Sequence, residues 1–109
     1  MNRELDIFDM QAQLCHSLSN PVRLRIIHAL KDAPKSVNEI SALVGESQPT
    51  VSRHLAILRS AGLLIARRKA QEVFYEISNP KVVEVCEMMR SILAERQAVQ
   101  LDLLQRIQS

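Results

Sequence analysis

Helix punctuation constrains this chain more than any other property. Asn-Pro occurs twice, at Asn20-Pro21 and Asn79-Pro80. Each pair offers a capping side chain followed by a proline at the first helical position, where its missing N–H is no loss. Ser36-Val37-Asn38-Glu39 has the form of a capping box, in which serine and glutamate satisfy each other's orphan backbone donors. Glu46-Ser47-Gln48 reads as a short turn with Pro49 in the first turn of the next helix, and the two glycines, Gly45 and Gly62, fall where helices stop. The expected helices run over 4–18, from Pro21 to near Asp32, from Ser36 to Gly45, from Pro49 to about Ala61, and over 80–107. Between Gly62 and Asn79 the pattern changes. Leu63–Lys69 and Val73–Ile77 are rich in branched and aromatic residues and flank Ala70-Gln71, which predicts a β-hairpin.

The order helix, helix, short helix, tight turn, helix, hairpin, helix is that of a winged helix-turn-helix. The fold class is mainly α with a small β-hairpin, and one domain spans 1–109. Its helix-turn-helix occupies 36–62, its wing 63–77, and its dimerisation helices 4–18 and 80–107. A chain of 109 residues suits one domain. Two glycines and four prolines leave too few turns for a sandwich or barrel of short strands. Only Phe8, Phe74 and Tyr75 are aromatic, which disfavours a base-stacking platform for single strands.

A final helix of about 28 residues is too long for so small a core. Its apolar seam of Val82, Val85, Cys86, Met89, Ile92, Leu93, Val99, Leu103 and Ile107 runs at near-heptad spacing, interrupted by Arg96. Such a seam calls for a second copy. The first helix carries its own stripe of Ile7, Phe8, Leu14, Cys15 and Leu18. The expected homodimer interface is therefore Phe8, Leu14, Leu18, Val82, Val85, Met89, Ile92 and Leu93. The longest apolar run, Ala61 to Ala66, cannot span a bilayer, and the acidic N-terminal stretch is unlike a signal peptide. A cytoplasmic chain with reduced thiols and no membrane partner is expected.

The net charge of +2 conceals a division. From Ser47 to Tyr75, Arg53, Arg59, Arg67, Arg68 and Lys69 face one acid, Glu72, giving +4; the remainder, nine basic and eleven acidic residues, carries −2. A local basic segment on an acidic body suits a polyanion. In a helix-turn-helix the second helix lies in the major groove of double-stranded DNA with its N-terminal residues at the base edges. Val51, Leu55 and Leu58 form its inward stripe. Gln48, Thr50, Ser52 and Arg53 can then reach bases or phosphates, and Ser47 with the helix's free N–H groups makes a phosphate site. Ile57 leans toward the same side, for wing packing or for a thymine methyl. At the wing, Arg67 and Lys69 share one strand face and Arg68 the other, so only part of the trio can touch one DNA surface.

The segments LSNPVRLRII at 18–27, QPTVSRHLAILRSAGL at 48–63 and RRKAQEVFY at 67–75 resemble the ArsR/SmtB family of bacterial metal- and stress-responsive repressors. The likeness extends over roughly residues 10–95. It implies a homodimer on the first and last helices, a recognition helix in each major groove of a palindromic operator, and an inducer that releases the DNA. Twofold symmetry then places the half-sites about 34–36 Å apart.

None of three sensor arrangements implied by that resemblance carries over. The third helix lacks a Cys-x-Cys pair, the last helix lacks histidine, and the two positions of a persulfide-type pair correspond to His28 and Ala94. No metal ligand set is assigned. Cys15 and Cys86 remain as candidate sensors, placed on the two apolar stripes that face the expected dimer interface. Two thiolates could take a soft metal or metalloid, or oxidise; free cysteines are also common small core residues. The histidines His16, His28 and His54 are scattered, and no motif supports catalysis. No cofactor is needed for DNA binding. The expected function is a dimeric, sequence-specific transcriptional repressor and not an enzyme. The alternatives are a winged-helix protein-interaction module and a regulator whose cysteines only fill the core.

Overall fold

A computed structural model of the chain describes residues 5–108. Glu4, the expected first residue of the first helix, lies outside them. The order is α1 (Ile7–Leu18), α2 (Pro21–Ala29), β1 (Lys35–Ser36), α3 (Val37–Val44), α4 (Gln48–Ser60), β2 (Leu64–Lys69), β3 (Glu72–Ile77) and α5 (Lys81–Gln108). This is a winged helix-turn-helix.

The caps act as their sequences require. Asn20 Oδ1 accepts from the N–H groups of Val22 (2.8 Å) and Arg23 (3.2 Å), with Pro21 opening α2. Asn79 Oδ1 accepts from Lys81 N–H at 3.0 Å. At α3 the box is reciprocal: Glu39 N–H donates to Ser36 Oγ (3.3 Å) and Ser36 N–H to Glu39 Oε1 (3.1 Å). Gly45 ends α3 at φ 73°, a left-handed conformation that a β-carbon would strain. A second box was not expected: Asp6 caps α1 and pairs with Asp9 in the same way.

The elements depart from the sequence reading in three places: α1 opens at Ile7 with Leu5 and Asp6 outside it, α2 ends early, and an extra strand forms. Helix α2 stops at Ala29, earlier than Asp32, and Leu30 closes it. The freed segment forms β1, a strand of two residues too short to leave any alternation in the sequence. It pairs antiparallel with β3 (Lys35 with Tyr75, Ser36 with Phe74), so the sheet has three strands in the order β1-β3-β2. Ser36 thus ends a strand and caps a helix at once, and it is buried. The wing turns at Ala70-Gln71, where Ala70 takes φ 58° without a glycine.

The core lies among α2, α3 and α4. Ile26 and Ile27, Ile40, and Val51, Leu55 and Leu58 from these three helices are essentially inaccessible to solvent. Leu18 closes one side, Leu63 and Leu64 the base of the wing, and Val82 and Cys86 the side of α5. Beyond those first turns α5 leaves the core, and the molecule's longest dimension reaches 62 Å.

Leu55→Ala is expected to destabilise the fold by about 2–5 kcal/mol, through lost burial and a residual cavity. Ser36→Ala should cost about 0.5–2 kcal/mol, the range of a lost N-cap. Shifts of the urea midpoint at fixed protein concentration measure both.

Candidate nucleic-acid interface

Burial of one side of α4 dictates what the other side offers. With Val51, Leu55 and Leu58 inward, Ser52, Arg53, Ala56, Ile57, Arg59 and Ser60 are exposed. Small side chains at Ser52, Ala56 and Ser60 allow another surface to approach the helix closely. Ile57 stays exposed, so wing packing does not consume it.

The N-terminal turn of α4 is braced by local hydrogen bonds. Ser47 is the N-cap; its Oγ accepts from Thr50 N–H (3.4 Å) and donates to Thr50 Oγ1 (3.0 Å). Ser41 Oγ donates to the carbonyl of Glu46, tying the turn to α3. Gln48 Nε2 donates to Asn38 Oδ1 at 2.5 Å, a bond between the N-terminal ends of α3 and α4. Gln48 is therefore held by a neighbour through its amide nitrogen, which keeps a second hydrogen to donate. Asn38 escaped the sequence reading because nothing local distinguishes it from any polar residue in a helix's first turn.

A second brace was also missed. Arg23 on α2 donates from Nε to the carbonyl of Ser17 at 2.7 Å, and its Nη1 lies 3.3 Å from His54 Nδ1. A guanidinium can only donate, so Nδ1 accepts and the ring is neutral. Partial burial pushes the His54 pKa below its ordinary value, as do the charges of Arg23 and Arg53, while Glu46 pulls the other way. This contact connects α1, α2 and the middle of α4.

On the wing, Leu64, Ala66 and Arg68 share a face with Ile77, Tyr75 and Val73, while Arg67 and Lys69 share the other with Phe74 and Glu72. The expected split of the basic trio follows from this register. Arg67 Nε donates to Glu76 Oε1 at 2.5 Å, an ion pair that offsets part of its charge. Arg53, Arg68 and Lys69 form no ion pair among the described residues and are exposed.

The two cysteines differ in burial. Cys15 is exposed on α1, whereas Cys86 is 1% exposed within the core of one protomer. The expectation that both face the dimer interface therefore fails for Cys86. One helical turn separates Val82 from Cys86, so they share a side, and that side packs inward. Burial pushes the Cys86 thiol pKa up, only partly countered by Arg90, which makes it a poor nucleophile. Val82 and Leu18 are likewise consumed by the protomer's own core. Phe8, Leu14, Val85, Met89, Ile92 and Leu93 stay open, from 41% (Leu14) to 75% (Phe8) exposed. Among the described residues, no group of three His, Cys, Asp or Glu side chains is placed to hold a metal ion, and no helix is long and apolar enough to cross a membrane.

A capped helix with an exposed polar face and a basic hairpin beside it are the parts of a winged-helix DNA-binding regulator. The family model of bacterial regulatory proteins of the arsR family matches residues 20–66. The biofilm growth-associated repressor of Xylella fastidiosa is 34% identical over 89 residues, covering 80% of this chain and 78% of that one. The transcriptional activator HlyU of Vibrio cholerae is 37% identical over 82 residues, or 75% and 76% of the two chains. The solution structure of the homodimeric winged helix-turn-helix domain of Mb0332 from Mycobacterium bovis superposes with a TM-score of 0.75. It is 27% identical, over 89% of this chain and 94% of that one. The chain belongs to the arsR family of bacterial regulatory proteins, DNA-binding transcription regulators and not enzymes.

Two predictions follow from the geometry of α4. A lowered folded-state pKa means that neutral His54 contributes stability above its ordinary value near 6.5, and that this is lost as pH falls through the folded value. Between pH 7.5 and 5 the urea midpoint should therefore fall further in the unmodified protein than in His54→Gln. On DNA, Arg53→Ala should cost roughly 1–3 kcal/mol and relax preference at one position, whereas Lys69→Ala should weaken all sequences alike and reduce the salt slope by about one. Competition gel shifts over a range of salt separate the two behaviours.

Proposed function

We propose that this protein is a homodimeric repressor that binds a palindromic operator and leaves it when an inducer binds. The observation that carries this reading is the uncovered polar face of α4. Ser47, Gln48, Thr50, Ser52 and Arg53 cluster at the N-terminal half of a helix whose opposite side is locked in the core. Gln48 and Arg53 are the base-reading residues, and Ser47 with the Gln48 N–H, the donor left where Pro49 has none and Thr50 N–H is taken by Ser47 Oγ, holds a phosphate. Arg68 and Lys69 contact the backbone beside the groove. Arg67 contributes less, because part of its charge is spent on Glu76.

Two copies are required because α1 and α5 leave Phe8, Leu14, Val85, Met89, Ile92 and Leu93 without cover in one protomer. The homodimeric state of the Mycobacterium bovis domain supports the same assembly. The Xylella relative is a repressor, which favours repression here, and the Vibrio activator is a relative of similar likeness with the opposite outcome. An accessible thiol at Cys15, paired with Cys15 of a second copy, is the place where a soft metal, metalloid or oxidant could act.

The test is binding to the protein's own promoter. We expect nanomolar affinity that falls steeply as salt rises. Phe8→Asp with Ile92→Asp should yield monomers by light scattering and lose operator affinity by at least about tenfold, with the helical spectrum retained. A folded dimer that ignores the promoter, or binds it without salt dependence, contradicts the reading.

A further inference from the structure

We propose that the cavity between α2, α3 and α5 is a binding site for a small organic anion, a carboxylate or phosphate monoester carrying a short apolar body. The cavity has a volume of about 630 Å³, within the range of small-ligand sites. Its walls combine two kinds of surface. Arg25 from α2, Lys31 from the bend after it, Lys35 from β1 and Arg90 from α5 supply four cations. Leu24, Leu43 and Val44 supply an apolar patch, of which Leu43 is 60% exposed.

Charge bookkeeping favours an anion. Asp32 is the one acid of the lining, and neither it nor any of the four cations forms an ion pair among the described residues. Helices α2 and α3 both end at the cavity, and each C-terminus brings roughly half a negative charge. Four cations against Asp32 and two helix ends still leave about +2. Four side chains from four segments around one space are more than two helix termini need for compensation. His28, one turn along α2 from Arg25, adds a ring nitrogen to the same wall. The apolar patch excludes a bare inorganic ion as the best fit, because it would stay half uncovered.

The position makes this a regulatory site for the function proposed above, on which that consequence rests. An anion held by Arg90 and Arg25 ties α5, the helix left open for a partner, to α2. Contact with Leu43 and Val44 engages α3, whose Asn38 holds Gln48 at the start of α4. Occupancy therefore acts on the angle between the dimerisation helix and the recognition helix. It needs no thiol and no metal.

The experiment is calorimetric titration of the intact protein with benzoate, hexanoate and phenyl phosphate at low ionic strength, with benzamide as the uncharged control. We expect saturable binding of at least one anion and none of benzamide. Arg25→Ala and Lys35→Ala should each weaken binding by about tenfold or more, as expected when a charged hydrogen-bond partner is removed, with unchanged circular dichroism. Absence of saturation with all three anions, equal binding of benzamide, or undiminished binding by both variants overturns the proposal. So does a uniform loss of DNA affinity in Arg25→Ala without any anion, which would make the groove part of the phosphate-contacting surface. Promoter binding without added anion tests the repressor reading separately, so either can fail while the other stands.

Discussion

Everything at the DNA-facing surface depends on the burial of one stripe of α4. Val51, Leu55 and Leu58 are fully buried in one core cluster with Ile26, Ile27 and Ile40. At 3.6 residues per turn, fixing that stripe fixes the opposite one. Ser52, Arg53, Ala56 and Ser60 face outward because there is no other direction left for them. The helix cannot roll without exposing three large side chains, each worth roughly 1.5–3 kcal/mol of burial. A rigid, exposed polar face on α4 is thus a by-product of the core.

The polar contacts refine that rigid frame. Ser47 and Ser41 hold the turn into α4, Asn38 holds Gln48, and Arg23 joins Ser17 to His54. Two of these ties reach α4 from α3, one reaches it from α2, and the Ser47 cap is the helix's own. Any change in the angle of α1 or α3 therefore reaches the recognition helix through a short chain of hydrogen bonds. That arrangement suits a regulator whose DNA affinity must respond to events elsewhere in the molecule.

Much of the fold was legible because caps and breakers are local. Asn20-Pro21, the Ser36 and Glu39 pair, Gly45, Gly62 and Asn79-Pro80 each act within four residues, and each acts as its sequence suggests. Strand β1 was not legible, since two residues carry no period and pair only because the edge of β3 lies alongside. The seam of α5 was half legible. Its apolar spacing is continuous, but Val82 and Cys86 belong to the protomer's core while Met89, Ile92 and Leu93 lie past its edge. Periodicity reports which side of a helix is apolar and not what covers it.

The sequence by itself determined the order of the helices and the wing hairpin, the inward stripe of α4 and the residue types on its outer side, because these follow from periodicity and capping chemistry. The partition of the basic trio on the wing also followed from the alternation of a strand. Only the tertiary structure decided which charges are spent and which thiol is enclosed. Arg67 meets Glu76 across nine residues, Gln48 meets Asn38 across ten, and Cys86 is sealed by helices distant in the chain. Such pairings depend on where separate elements come to rest against one another, and no local pattern encodes that distance.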